Sequence, residues 1–367
     1  MKILVIKFMH IGDVLLITPL LKNLKYHFPD AEIDVALNKG TEEMITENPN
    51  VGKIHTYDRV KIKSLSLFPR LTAEFDFAME IRREEYDMVI NLTSGDRGLL
   101  TAIFSGAKEC VSFLSSKNTF LNRFVTRSLS RLQLRHWVDI NLDALRVLGE
   151  EPKEKKVEIF WQEDIDNSID ELLKKNALKE KQFIQFHPVS RWLFKCIDDK
   201  IAAEIIDFCQ ETLHLPVVIT AAPIAEEKQK VNDILKLCQT TPLDLTGKLS
   251  LKETAAINKR SLMYVGVDTA IMHISAANDV PVLAFFGPSI PYAWGPWDNS
   301  FMENQYISYR GDQSMGKHTI LQKQWECVPC DAKGCNDSGI SDCLIELNIE
   351  KIKELILKKK KEYDANS

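Results

Sequence analysis

The stretch Ile3-Leu4-Val5-Ile6-Lys7-Phe8-Met9-His10-Ile11-Gly12-Asp13-Val14-Leu15-Leu16-Ile17-Thr18-Pro19 decides the fold class. Its first residues form a short apolar run rich in β-branched side chains, which reads as a buried strand. From Val14 the apolar spacing becomes helical and continues to residue 28. The same strand-then-helix order recurs outward, with strands over 32–37, 53–57 and 87–92 and helices over 41–46, 71–85 and 140–148. Such alternation implies parallel strands joined by right-handed crossovers.

After a charged stretch at 153–156, directly behind Pro152 and read as linker, the pattern restarts. Strands are expected over 183–187, 216–220, 262–267 and 280–286, and helices over 198–213, 225–238 and 270–278. A lysine-rich last helix over 349–361 could pack on either half. The economical reading is an α/β chain of two Rossmann-like domains, 1–165 and 166–367, facing each other across a cleft. In open parallel sheets ligands sit beyond the carboxyl ends of the strands, so the residues that follow the strands matter most.

A chain of 367 residues is long enough for two domains at about 150 residues each. With 45% hydrophobic and 27% charged residues it fits a globular protein rather than a disordered, collagenous or disulfide-scaffold one. Its net charge of -5 and pI near 6.0 speak against a nucleic-acid binder. The apolar stretch 280–297 holds four prolines and two glycines and cannot form a spanning helix. The N-terminal apolar run is too short for a signal-peptide core, which gives a cytoplasmic address as the expectation.

Behind the first strand, Gly12 permits a tight turn and Asp13 sits at a strand-to-helix junction. Asp13 reads either as a helix cap or as a carboxylate presented to a ligand. Pro19 leaves two helix starts open: one at Asp13 with a bend, the other at Thr18 with Pro19 at the first position. The turn lacks G-x-G-x-x-G, and the chain has no G-x-x-x-x-G-K-[ST], so neither a dinucleotide fingerprint nor a P-loop is supported. A helix N-terminus alone can still hold a phosphate.

The second half supplies such a terminus. Val265-Gly266-Val267-Asp268-Thr269-Ala270-Ile271-Met272-His273 reads as a buried strand ending in Asp268. The free N–H groups of the following helix start would face a diphosphate, with Thr269 and His273 on one face. The capped core helix with a half-buried histidine is the competing reading. Ser190, Arg191 and Lys195 follow another strand and place a hydroxyl and two cations within six residues, a set suited to phosphate oxygens. Thr246 and Gly247 mark a loop whose backbone could meet a nucleobase, though turn chemistry also explains the glycine.

Arg123, Arg127, Arg131 and Arg135 recur every four residues, with no acidic residue between 117 and 137. On a helix they would form one basic stripe, either a solvated face or a surface for an anionic ligand or membrane headgroups. Cys327, Cys330, Cys335 and Cys343 have spacing compatible with a structural four-thiolate zinc, and equally with reduced packing cysteines.

Taken together, residues 6–19, Val89-Ile90-Asn91-Leu92-Thr93, Phe194-Lys195-Cys196, residues 266–277 and Phe286-Gly287-Pro288-Ser289 resemble the lipopolysaccharide core heptosyltransferases of glycosyltransferase family nine, closest to the heptosyltransferase III subgroup. The resemblance implies the GT-B architecture, with an N-terminal acceptor-binding and a C-terminal nucleotide-sugar-binding domain. It implies transfer of L-glycero-D-manno-heptose from ADP-heptose to a hydroxyl of the lipopolysaccharide inner core, peripheral to the cytoplasmic face of the inner membrane and without a catalytic cofactor. On the matching positions Asp13 becomes the general base, next to Gly12 on the acceptor side. Lys195, Asp268, Thr269 and Ala270 hold the diphosphate and sugar, and His273 lies in the same motif. Glu226 is the match for the ribose-binding acid. Where relatives carry paired threonines this chain has Val189-Ser190.

The chemistry is consistent with that assignment. A carboxylate taking the acceptor proton contributes roughly 10²- to 10⁴-fold, and cations at the departing diphosphate stabilise its growing charge. The arginines Arg123, Arg127 and Arg131 would meet an acidic acceptor. Two other expectations stand beside this one: a transferase or epimerase for another sugar nucleotide, and a nucleotide-binding protein without chemistry.

Overall fold

β1 (Lys2–Lys7) is apolar over four consecutive residues because both its faces are covered: Ile3, Leu4, Val5 and Ile6 are fully buried. In the computed structural model, which describes residues 1–130 and 134–366, β1 lies at the centre of a six-stranded parallel sheet. Its other members are β2 (Glu32–Asn38), β3 (Ile54–Tyr57), β4 (Met88–Asn91), β5 (Glu109–Phe113) and β6 (Arg127–Leu129), in the order β3-β2-β1-β4-β5-β6. Ile6 pairs in register with Ala36 of β2 and Asn91 of β4. The order reverses between β1 and β4.

Internal packing divides the chain into two compact units, Met1–Phe160 and Trp161–Ser367. The second unit has a seven-stranded sheet of β7 (Ile184–His187), β8 (Val217–Ile219), β9 (Leu243–Asp244), β10 (Met263–Val267), β11 (Val282–Phe286), β12 (Gln313–Met315) and β13 (His318–Gln322). Its order is β12-β13-β11-β10-β7-β8-β9, parallel except for the β12–β13 hairpin, and it reverses between β7 and β10. Both units are Rossmann-like. The last helix, Ile349–Asn366, packs on Asp199–Asp207 within the second unit, where Ile352 and Ile356 are fully buried. Each contributes about 1.5–3 kcal/mol of apolar burial.

Several expectations are corrected. The Pro19 alternatives combine in altered form: a short helix opens at Ile11, two residues before Asp13, and a second, Thr18–His27, carries Pro19 at its second position. Residues 153–156 are not a free linker. Lys155 is buried, with Nζ 2.7 Å from Asp139 Oδ1, and Lys153 N–H donates to Asn23 Oδ1 at 2.6 Å.

The arginine stripe is not helical. Arg123 lies on the 3-10 turn Thr119–Phe124 and Arg127 on β6, while Arg135 precedes the helix Trp137–Leu148. Arg131 is outside the described residues. Val125 and Thr126, both β-branched, favour the extended backbone that breaks the four-residue repeat.

Candidate active site

Asp13 stands at the third position of the helix Ile11–Leu15, directly beyond the carboxyl end of β1. The N-cap is His10, so the capping reading of Asp13 is half right. Its Oδ2 accepts the His10 backbone N–H at 3.3 Å, as the returning acid of a capping box. Its Oδ1 is buried and makes no hydrogen bond with any described residue. The residue is 6% exposed, and a buried carboxylate oxygen without a partner is costly unless something else uses it. Gly12 lies inside the helical turn with ordinary backbone angles rather than in a left-handed turn.

The loop carrying Asp13 is held from three sides, by residues the sequence reading gave no role. Thr93 Oγ1, beyond β4, accepts the Phe8 N–H at 2.7 Å, and Asn91 Oδ1 accepts the Thr93 N–H at 3.0 Å. Asn38, at the end of β2, donates from Nδ2 to the Met9 carbonyl at 3.0 Å. The buried Lys7 ammonium donates to Asn141 Oδ1 at 3.1 Å and lies 5.2 Å from the Trp137 ring centroid. Asn91 and Thr93 were visible as a motif, but their role depends on β4 lying beside β1.

In the second unit the residues singled out from sequence gather at the carboxyl ends of β10, β7, β8 and β9, four adjacent strands. Three strand spacings of about 4.8 Å make that row about 14 Å long, room for an extended ligand with separately recognised groups. Lys195 and Asp268 meet at the switch between β7 and β10, with Nζ 2.6 Å from Oδ2. Burial alone pushes the Asp268 carboxyl up, but the Lys195 ammonium, hydrogen bonds from Lys195 and Ser289 and the nearby His273 outweigh it and hold it below the usual carboxylate range. Gly266 lets β10 approach β7 this closely: a Cβ there would lie 2.5 Å from the His187 carbonyl oxygen.

Thr269 is the N-cap of the helix Ala270–Ala277, and its side chain makes no capping bond to the first helical N–H groups. That end, with Ala270 first, keeps its positive dipole available. His273 is buried rather than half-buried. Ser190 is buried, and its Oγ accepts the Trp192 N–H at 3.2 Å. The Arg191 guanidinium lies 5.0 Å from the Trp192 ring centroid. Its charge also reaches Glu227, whose carboxyl is raised by burial and partly lowered again by the Ala222 N–H and Arg191.

Glu226 is exposed; the buried acid at the end of β8 is its neighbour Glu227, whose Oε2 accepts the Ala222 N–H at 2.7 Å. The helical spacing of Glu227, Val231 and Ile234, the buried positions of the helix Ala225–Leu235, is the signal that separates them. The β9 loop closes the row: Gly247, at φ +65°, donates to the Ala221 carbonyl, and Thr246 has a buried Oγ1 without a hydrogen-bond partner.

Two sets do not assemble as expected. Two of the arginines have acidic partners from outside the 117–137 window, Arg127 with Glu109 and Arg135 with Asp143, and Arg123 lies over Phe120 within it. Among the described residues no group of three His, Cys, Asp or Glu side chains is arranged to hold a metal ion, so the four-thiolate zinc finds no ready ligand set. Cys327 and Cys330 are exposed, Cys335 Sγ accepts the Asp342 N–H, and Cys343 is buried. Burial first, and the other three sulfurs after it, push the Cys343 thiol up to about 12.

Comparison with known proteins gives a family and a fold. The model of glycosyltransferase family 9 (heptosyltransferase) matches residues 75–324. The chain is 28% identical over 305 residues to lipopolysaccharide heptosyltransferase 3 of Escherichia coli, covering 82% of this chain and 87% of that protein. The crystal structure of a family 9 glycosyltransferase from Veillonella parvula superimposes with a TM-score of 0.79 at 21% identity, covering 98% and 97% of the two chains. E. coli ADP-heptose lps heptosyltransferase II gives 0.73 at 18% identity, covering 99% and 100%. These likenesses establish the GT-B fold of two Rossmann-like units.

Proposed function

The chain belongs to glycosyltransferase family 9 and is a glycosyltransferase, and from that membership we propose that it transfers L-glycero-D-manno-heptose from ADP-heptose to a hydroxyl of the lipopolysaccharide inner core with inversion at the anomeric carbon. The observation that carries the mechanism is the unpartnered Oδ1 of buried Asp13 at the carboxyl end of β1. The acceptor oxygen forms a bond to the anomeric carbon as the bond from that carbon to the diphosphate oxygen breaks. Asp13 Oδ1 takes the proton of the attacking hydroxyl, and ADP leaves with the electron pair and one more negative charge.

That charge is met by the second unit. Lys195, fixed by Asp268, supplies a cation, and the start of the helix Ala270–Ala277 supplies N–H groups, both in place before the reaction. Arg191 and Ser190 line the same strand end. Glu227, rather than Glu226, is the acid placed to accept from the ribose hydroxyls, and Thr246 and Gly247 border the base. Arg123 and Arg127 contribute to the acceptor side as separate cations, not as a helical stripe. The acceptor is lipid-linked, which places the enzyme peripherally at the cytoplasmic face of the inner membrane.

The test is incubation of the full chain with ADP-heptose and a defined core lipopolysaccharide lacking the heptose in question. The expected product carries one added heptose of inverted anomeric configuration. Release of ADP with an unmodified core would overturn the reading.

A further inference from the structure

The helix Leu67–Arg83 is apolar on two sides. Its inner side places Ala73, Phe77 and Ile81, four residues apart, against the core of Leu4, Ile6, Tyr57 and Val89. The outer side of such a helix is ordinarily polar. Here Leu67, Phe68, Leu71 and Phe75 are exposed instead, Phe68 to 80% and Phe75 to 62%. The spacing 68, 71, 75 keeps three of them on one stripe.

Neighbouring elements extend this surface. The helix Arg59–Ser64 contacts Leu67–Arg83 and carries Val60, 83% exposed. The helix Asp96–Ser105 packs alongside and exposes Leu100 and Phe104. Topology places these elements in one layer. The chain runs β1, β2, β3 one way across the sheet and β4, β5, β6 the other, so right-handed crossovers put the later helices together on the face opposite Thr18–His27.

Charge on this layer is sorted. Arg59, Lys61, Lys63 and Arg70 are exposed and form no ion pair with any described residue. The acids are mostly engaged by other partners: Glu74 accepts from the Tyr57 hydroxyl at 2.6 Å, Glu80, itself exposed, meets His55 at 2.6 Å, and Glu84 is held by Lys2 and Lys53. Asp76, exposed beside Phe75, reduces the positive excess without cancelling it.

We propose that this layer docks on an anionic lipid bilayer, lying in the interface plane. Val60, Phe68, Leu71 and Phe75 enter the boundary between headgroups and acyl chains, and Arg59, Lys61, Lys63 and Arg70 meet lipid phosphates. No helix among the described residues is long and apolar enough to cross a membrane, which matches surface attachment by this layer. A second copy of the chain fits less well, because a two-fold contact would set these unpaired cations against one another. The inference stands on exposure and charge and does not depend on the transfer reaction.

The experiment is cosedimentation of the full chain with vesicles of phosphatidylcholine alone and of equimolar phosphatidylcholine and phosphatidylglycerol, with light scattering in parallel. The chain is expected to bind the anionic vesicles and to lose at least about tenfold in partitioning with the pair Phe68→Ser and Phe75→Ser. The triple change Lys61→Gln, Lys63→Gln, Arg70→Gln, which removes no apolar contact, should lose a comparable factor. Thermal melts of both variants should match wild type, since every altered side chain is exposed. Absence of binding to anionic vesicles, or unchanged binding by both variants, overturns the proposal. A dimer dispersed by the serine pair, with no vesicle binding, overturns it in favour of self-association.

Discussion

Asp13 and Asp268 each lie just beyond a strand that borders the reversal of its sheet, Asp13 after β1, the first strand of its unit, and Asp268 after β10, on the other side of the switch from β7, and their surroundings are opposite. Asp268 is bound by Lys195 and Ser289 and kept charged against its burial. Asp13 has one oxygen spent on a backbone N–H and the other on nothing. A carboxylate that is fully paired is a fixture: it orients a cation and takes no part in proton movement. One that retains an unused lone pair in a buried place is equipped to accept a proton. The switch points of the two sheets are thus equipped differently: the second unit carries a paired, fixed charge, and the first carries the open carboxylate that the proposed proton transfer calls for.

The sharpest way to break this comparison is to remove the base. Asp13→Asn keeps an oxygen for the His10 N–H and discards the basicity, so kcat should fall by roughly 10²- to 10⁴-fold while ADP affinity, measured by calorimetry, stays within about twofold. Full activity in this variant would reduce Asp13 to a capping residue. The complementary change makes Asp268 resemble Asp13. Lys195→Met strands a buried carboxylate and should cost about 3–4 kcal/mol of stability in a denaturant titration, together with most of the ADP affinity. Adding Asp268→Asn should restore stability without restoring ADP binding. If the double variant binds ADP as wild type does, Lys195 is only a structural partner.

How far these differences could be read from sequence follows from which residues are near in the chain. The strand ending in Lys7 and the turn carrying Asp13 are contiguous, so both were legible, as was the strand ending in Asp268. The Lys195–Asp268 pair was not, because its partners are 73 residues apart and meet only when β10 lies beside β7. Arg127 and Arg135 were misread for the same reason. A window without acids looked unpaired, but Glu109 and Asp143 come from adjacent elements. The hairpin β12–β13 carries no long apolar run, and β9 is two residues long, too short for any periodicity. Exposed Phe68 and Phe75 are indistinguishable in sequence from half-buried Phe77 until the helix has an inner side.

Acid should separate the two units as wholes. Burial of His187, opposed only weakly by its bond to Thr220, lowers its pKa to about 4, and burial of His318 lowers that ring to about 3 despite the attraction of Asp298. An unfolded chain protonates its histidines near 6.5, so below that pH it binds more protons than the folded one and stability falls. His187 alone accounts for a loss on the order of 3 kcal/mol between pH 6.5 and 4. Asp268, with its lowered carboxyl, contributes stability above the ordinary carboxylate range and loses it only at still lower pH. Hydrogen exchange read peptide by peptide should therefore show the second unit opening first on acidification. His187→Asn should flatten that dependence, and an unchanged slope would assign the acid lability elsewhere.

The smallest effect concerns a third carboxylate that sits between these extremes. Glu227 is buried and bonded to one N–H, and burial raises its carboxyl above the ordinary value. An acid whose folded pKa is raised destabilises the folded chain at neutral pH, because the unfolded chain ionises more freely. Glu227→Gln removes that cost and keeps an oxygen for the Ala222 N–H, so the melting temperature should rise slightly. If Glu227 holds the ribose, the same change removes a charged acceptor and should weaken ADP binding by roughly tenfold, about 1.4 kcal/mol. Opposite signs for stability and binding are what a side chain kept for a ligand produces. Glu226→Gln, at an exposed position one residue away, should move neither quantity; a loss of ADP affinity in that variant, with Glu227→Gln silent, would return the role to Glu226.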